Sequence, residues 1–411
     1  MKRVQNIIEI MCKKGIKTPF YCFDEEGFRR NYNDLMSAFR DIYPRYEISY
    51  SYKTNYTPYI CNVVKSLDGY AEVVSDMEYD LAKKIGYTDD KIVFNGPSKG
   101  ERLETHIANG GILNIDNYAE ALRVFNFAEH NPRTQFKVGL RINMSNVGGF
   151  ISRFGFEIDS EDLEKTVNLF MKSKNITITG LHCHISRARG LDAWKKRIDI
   201  MLEAADQLIE GIPEYISLGS GMYASMEDEL KKQFGNYVPS YQDYANVIIE
   251  PIAKHYKNIS DNRKPVLFTE PGTTVVSRYL YFVTKVLNIK TICGRRMATV
   301  DGSYLNLGEI CTMKELPVDV IQMAGKESNR SAPTDIMGFT CLEQDLMLRG
   351  CSQAICENDI VVFHNCGGYS VVSKPQFIKP NCAMYAVTSN SGVQEIMREE
   401  TFEDVFSKFL F

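Results

Sequence analysis

Glu47-Ile48-Ser49-Tyr50-Ser51-Tyr52-Lys53-Thr54-Asn55 is the stretch from which the rest of the chain is read. Its first six residues alternate and are rich in β-formers, which predicts a strand ending at Lys53. A polar turn follows, and Pro58 suits the first turn of a helix. The strand–turn–helix unit then recurs. Strands are expected at residues 47–52, 70–74, 92–95, 112–115, 137–142, 176–184, 215–218 and 265–270, with helical stretches between them. Ser75-Asp76-Met77-Glu78 has capping-box spacing and opens a helix that stops at Gly86. Eight strands alternating with helices over this length predict an α/β fold, a (β/α)8 barrel. The competing doubly wound sheet would carry a Gly-rich first turn, which is not visible.

After Glu270 the rhythm changes. Residues 275–292, 297–300, 318–323, 359–362 and 383–387 read as strands with little helix between them. A C-terminal β domain is therefore expected from about Thr274.

Composition narrows the function. At 411 residues the chain could hold two domains. A formal charge of −4 gives no electrostatic case for nucleic acid or an anionic membrane surface. No apolar run is long enough for a signal peptide or a membrane span, so a cytoplasmic location is expected. The 11 cysteines are scattered without CxxC pairs or zinc spacing, which predicts reduced thiols and no metal site.

In a barrel the C-terminal strand ends surround one mouth. Here they supply Lys53, Ser75, Asn95, Asp116, Arg141, His184, Gly219-Ser220-Gly221 and Glu270. A strand-end lysine can form a Schiff base with a carbonyl cofactor, although taken alone a solvated lysine is the commoner case. Gly219-Ser220-Gly221 follows the seventh strand, a favoured phosphate position in barrels; a plain tight turn is the alternative. His182 and His184 fall on one side of their strand. As a metal pair they lack a third ligand, and a ring stacked on a flat cofactor is at least as good a reading. Glu270, ending an apolar strand, needs a cationic or protonated partner, and a protonated pyridine nitrogen would serve.

Taken in order, these segments resemble the fold-type III decarboxylases that use pyridoxal 5'-phosphate: the diaminopimelate, ornithine and arginine decarboxylases. The resemblance covers nearly the whole chain. Tyr50-Ser51-Tyr52-Lys53-Thr54-Asn55 resembles the cofactor-lysine motif, and Ser152-Arg153-Phe154-Gly155 the Ser-Lys-Phe-Gly segment. His182-Cys183-His184 resembles the segment whose second histidine stacks on the pyridine ring. Leu218-Gly219-Ser220-Gly221 resembles the triple-glycine phosphate loop, and Glu270-Pro271-Gly272 the stretch whose glutamate pairs with the pyridine nitrogen. Gly338 to Asp345 resembles the Gly-Pro-x-Cys-x-x-x-Asp segment, which makes Cys341 the candidate general acid. Cys366-Gly367-Gly368-Tyr369 resembles the segment whose tyrosine reaches the phosphate.

The resemblance implies an alanine-racemase-like barrel at 25–273, with 1–24 and 274–411 forming the β-rich domain. It also implies a homodimer with shared active sites, to which Cys341 and Tyr369 would come from the partner chain. The implied activity is decarboxylation of an amino acid or diamino-acid derivative, with Lys53, Glu270 and Cys341 as catalytic residues. A racemase on the same barrel would need a second base opposite Lys53. A non-catalytic binding protein would have no reason to keep Lys53, Glu270, Cys341 and Tyr369.

The departures lie on the substrate side. Thr273 stands where the family often has arginine, and Glu309 falls where diaminopimelate decarboxylases carry a substrate-binding arginine. Leu342, with Glu343 next, replaces the acid that usually follows the cysteine, and Arg187 stands near a usual small hydroxyl residue. Losing two arginines removes bidentate carboxylate clamps, so a substrate other than diaminopimelate is expected.

Overall fold

The structure, a computed structural model, describes residues 2–235, 237–323, 333–388, 390 and 392–411. By contacts it divides into two units. Asn31–Tyr223 and Tyr237–Thr274 form one; Met1–Arg30, Ala224–Asn236 and Val275–Phe411 form the other.

The first strand, β1 (Phe20–Asp24), belongs to the second unit. The next eight are β2 (Tyr46–Ser51), β3 (Tyr70–Val73), β4 (Ile92–Phe94), β5 (Ile112–Ile115), β6 (Phe136–Arg141), β7 (Ile176–His182), β8 (Tyr215–Ser217) and β9 (Val266–Thr269). They pair in sequence order into a closed parallel barrel. Closure is made by β2 on β9, with Tyr46 opposite Leu267 and Ile48 opposite Thr269. That settles the choice against an open sheet. Helices such as Pro58–Ser66, Glu161–Lys172 and Leu191–Leu208 return the chain between strands. Their apolar stripes are buried, for example Leu163, Thr166 and Phe170 on the second of them.

The second unit is a nine-stranded sheet. It combines β1 with β10 (Leu280–Ile292), β11 (Arg295–Val300), β12 (Val318–Ile321), β13 (Thr334–Met337), β14 (Leu346–Cys351), β15 (Ile360–Phe363), β16 (Ala383–Val387) and β17 (Val393–Met397). β1 lies between antiparallel β10 and parallel β16. The N-terminal helix, Lys2–Lys13, places Val4, Ile8 and Met11 on one face. They pack with Phe20, Cys22, Tyr281, Val283 and Val362 into one core.

Three expectations need correction. Residues 275–292 are not one strand: Thr273–Val276 and Ser277–Tyr279 are helical turns, and β10 starts only at Leu280. Next, by contacts the β unit runs through Arg30, beyond the expected residue 24; at this junction the Asp24 carboxylate accepts the Gly27 N–H (3.1 Å). Finally, Ala224–Asn236, expected with the barrel, groups with the β unit, where buried Glu227 accepts from Asn365 and pairs with Arg278 (3.3 Å). Among the described residues no helix is long and apolar enough to cross a membrane.

Candidate active site

The C-terminal ends of the barrel strands gather a buried polar network. Lys53 stands in the single 3-10 turn, Tyr52–Thr54, that directly follows β2. Its Nζ donates to Glu72 Oε2 at 2.5 Å. Glu72, in the middle of β3, is 1 % exposed, so its charge depends on donors from the protein. Ser51 Oγ donates to it at 2.6 Å, and Asn95 Nδ2 at 3.1 Å.

Asn95 Nδ2 also donates to Glu270 Oε1, at 3.0 Å, tying the lysine end of the network to β9. Glu270 Oε1 takes a second bond from Ser217 Oγ at 2.8 Å, while Oε2 lies 3.1 Å from His182 Nε2. Burial alone would raise the Glu270 carboxyl. The His182 imidazole, followed by the Lys53 charge, outweighs burial and holds the carboxyl well below the usual range. Glu270 is therefore a carboxylate at neutral pH. Among the described residues, His182 is the one hydrogen-bond partner of its Oε2.

His184 follows β7 and differs from His182 in what it meets. Its Nδ1 accepts the Ser220 N–H at 3.2 Å. Burial, reinforced by the Lys53 charge, pushes the imidazole well below its ordinary value, so the ring is neutral. Gly219 and Gly221 have φ of +61° and +108°, and a Cβ at either would stand 2.5 Å from Cys183 O or 2.4 Å from Ile185 O. Glycine is required at both positions.

Arg141 pairs with Asp116 at 3.0 Å and lies over the Phe154 ring. Arg187, in the loop after β7, is exposed and forms no ion pair among the described residues. Ser75 caps the helix Asp76–Ile85, but only half of the expected capping box forms. Glu78 Oε2 accepts the Val74 N–H (2.8 Å) instead of that of Ser75.

The remaining sequence-derived candidates lie in the β unit. Cys341 is exposed, on a loop organised by buried Asp345. That carboxylate accepts from Tyr304 N–H (2.9 Å), Thr340 N–H (3.1 Å) and Thr340 Oγ1 (2.6 Å). A Cβ at Gly338 would stand 2.2 Å from it, so the Gly338 and Asp345 that flank Cys341 in sequence are one folding unit. Tyr369 has φ of +58°, a left-handed conformation costly for an aromatic residue. Glu309 and Glu343 are exposed, and neither is in an ion pair among the described residues. Lys53, His184, Gly219-Ser220-Gly221 and Glu270 are thus brought together in the barrel; Cys341, Tyr369, Glu309 and Glu343 stand in the other unit.

Sequence reasoning missed Glu72 as a member of this network. The signal was a carboxylate inside a four-residue strand, Tyr70-Ala71-Glu72-Val73. Its effect reaches Glu78, whose carboxyl is raised from 4.5 to about 7 by burial and by the Glu72 charge. The folded protein then binds the Glu78 proton more tightly than the unfolded chain between those values. Stability present below about pH 4.5 is lost as pH rises to about 7, by roughly 3 kcal/mol. Glu78→Gln should flatten that fall in urea titrations run from pH 5 to 8. A variant with the wild-type pH slope would show that Glu78 titrates normally.

The fit to a flat, phosphorylated, protonated heteroaromatic aldehyde can be judged on these groups. The mouth offers a primary amine, a neutral ring, a glycine turn and an ionised buried carboxylate with accepting capacity left on one oxygen. Each matches one part of such a molecule.

Comparison with known proteins agrees. Residues 29–277 match the family model described as pyridoxal-dependent decarboxylase, pyridoxal binding domain. The chain is 26 % identical over 422 aligned positions to the diaminopimelate decarboxylase of Methanocaldococcus jannaschii, covering 98 % of this chain and 92 % of that protein. The crystal structure of the diaminopimelate decarboxylase from M. jannaschii superposes with a TM-score of 0.84 at 24 % identity, covering 98 % of this chain and 94 % of that one. That of the diaminopimelate decarboxylase from Helicobacter pylori, complexed with L-lysine, gives 0.79 at 20 % identity, covering 96 % and 98 %.

Proposed function

Because the chain belongs to the pyridoxal-dependent decarboxylase family, we propose that its barrel mouth holds the cofactor on Lys53 and decarboxylates a diamino acid or a conjugate of one. The chain is a pyridoxal-phosphate-dependent amino-acid decarboxylase. The observation that most supports our assignment of residues is the link Lys53–Glu72–Asn95–Glu270, which joins a primary amine to an ionised buried carboxylate.

When bound, pyridoxal phosphate supplies the electron sink that accepts the pair left as the Cα–carboxylate bond breaks. Lys53 Nζ anchors the cofactor, with Glu72 orienting the amine. Glu270 keeps the proton on the ring nitrogen, and its own charge is steadied by Asn95 and Ser217. His184, neutral and fixed through Nδ1, offers a flat face to the cofactor, and the Gly219-Ser220-Gly221 turn receives the phosphate. The active unit is a homodimer in which the partner subunit's Cys341 returns a proton to Cα and the partner subunit's Tyr369 reaches the phosphate.

The substrate reading rests on charge. Glu309 and Glu343, neither of them neutralised by an ion pair among the described residues, favour a cationic or polar distal group. Arg187 is available for the carboxylate of a larger, modified amino acid. The relatives named above are diaminopimelate decarboxylases, which makes diaminopimelate the rival substrate. Carbon dioxide release should be measured on diaminopimelate, ornithine, lysine, arginine and their N-acylated derivatives. We expect kcat/KM for diaminopimelate to fall at least about tenfold below the best basic substrate, or ~1.4 kcal/mol of barrier. A diaminopimelate value above all the others would mean that its distal carboxylate is held by groups other than the missing arginines.

A further inference from the structure

Arg197 is fully buried in the helix Leu191–Leu208, yet no carboxylate pairs with it among the described residues. Its guanidinium is solvated by backbone instead. Nη1 donates to Leu218 O at 2.8 Å and Ser220 O at 2.9 Å, and Nη2 to Ile185 O at 3.2 Å. The group also stacks 3.8 Å over the Trp194 ring. Burial pushes it down only to about 10, so it remains a cation at neutral pH. A buried cation without a counter-charge is costly, and backbone dipoles offset only part of that cost.

The three carbonyls are not arbitrary. In a planar trans peptide the C=O and the following N–H point in opposite directions. Pulling Leu218 O, Ser220 O and Ile185 O toward Arg197 therefore turns the N–H groups of Gly219, Gly221 and Ser186 away from it. Among the described residues none of these three N–H groups donates a hydrogen bond. The left-handed glycines hold the turn against the loop after β7, with the Cβ-free approach to Cys183 O and Ile185 O described above. The result is three N–H groups turned away from Arg197 and unused among the described residues, with the guanidinium on the carbonyl side of the same peptides, an arrangement suited to an anion.

We propose that Arg197 is the positioning residue of the phosphate cradle: it aims three backbone donors at the phosphate and supplies the positive charge that a dianion balances. The proposal rests on the reading of the barrel mouth as the cofactor site. It assigns to Arg197 the phosphate end alone; Lys53 and Glu270 serve the other end.

Binding of pyridoxal 5'-phosphate and of pyridoxal, which lacks the phosphate, separates the two ends. Trp194 is the single tryptophan, so its emission follows binding and also reports whether the stacked pair is intact. In Arg197→Gln we expect the Kd for pyridoxal 5'-phosphate to rise about tenfold or more while that for pyridoxal stays within about twofold. Arg197→Lys keeps the charge with fewer donors and should fall between wild type and Arg197→Gln. Should Arg197→Gln not fold, Arg197→Lys carries the same comparison. In the wild type, inorganic phosphate should compete with the phosphorylated compound and not with pyridoxal. Equal weakening of both compounds in the variants would reduce Arg197 to a packing residue and overturn the proposal, as would no change in either. A wild-type chain that binds neither compound would instead overturn the assignment of Lys53 and Glu270, and this inference with it.

Discussion

Lys53→Ala should abolish turnover, to below about one ten-thousandth of wild type or ~5.5 kcal/mol of barrier, and the visible absorbance of the bound cofactor should disappear with it. The effect is large because one substitution removes the proposed covalent anchor and leaves buried Glu72 without its cation. Borohydride reduction and peptide mapping of the wild type should then find the label on Lys53. The other lysines give a sharp control. Lys99 is buried and committed: its Nζ donates to Gly96 O, Asn114 O and Glu120. Lys137 is at the opposite end of its strand, in an exposed pair with Glu214 at 2.6 Å. A label on either would overturn the assignment. Mixing Lys53→Ala with Cys341→Ala subunits extends the test, since a hybrid dimer would carry one intact site. Absence of recovery despite demonstrated subunit exchange would place both residues in one chain.

The barrel and its mouth were legible because both are local signals repeated. Each strand and the polar residue ending it are contiguous, so Lys53, His184 and Glu270 could be found by walking the strand ends. Glu72 was harder, since its strand reads as ordinary; only burial shows that it must be paired, and only tertiary structure shows with what. Arg197 was not legible. In Lys195-Lys196-Arg197 it looks like part of a solvated helix face, and nothing short of the fold separates the buried member from its neighbours.

The β unit was less legible for a related reason. Residues 275–292 have strong β-propensity throughout, but Thr273–Val276 and Ser277–Tyr279 form helical turns; tertiary context overrode propensity there. β13, β14 and β17 were missed. The β13–β14 and β16–β17 pairings carry register irregularities, and β17 is a partly exposed edge strand, Val393-Gln394-Glu395-Ile396-Met397, without clean alternation. Cys341 and Tyr369 could be nominated only through resemblance, because neither sits at a strand end of the barrel.

Glu270→Gln isolates electrostatics from architecture. The amide keeps the size of the carboxylate and one accepting oxygen, so the bonds from Asn95 and Ser217 to Oε1 can persist. What is lost is the charge that His182 and Lys53 stabilise against burial. A neutral amide cannot keep a proton on a ring nitrogen, so the cofactor should still bind while its capacity to accept electrons drops. We expect cofactor content within about twofold of wild type and kcat lower by roughly 10^3-fold, ~4 kcal/mol of barrier. Thermal midpoints measured in parallel separate this from misfolding. Because the wild-type carboxyl lies well below the usual range, its titration should leave no acid limb in kcat between pH 5 and 8. A loss of activity under about tenfold, with cofactor retained, would mean that Glu270 serves the barrel's internal hydrogen bonding and that the ring proton is held by another group.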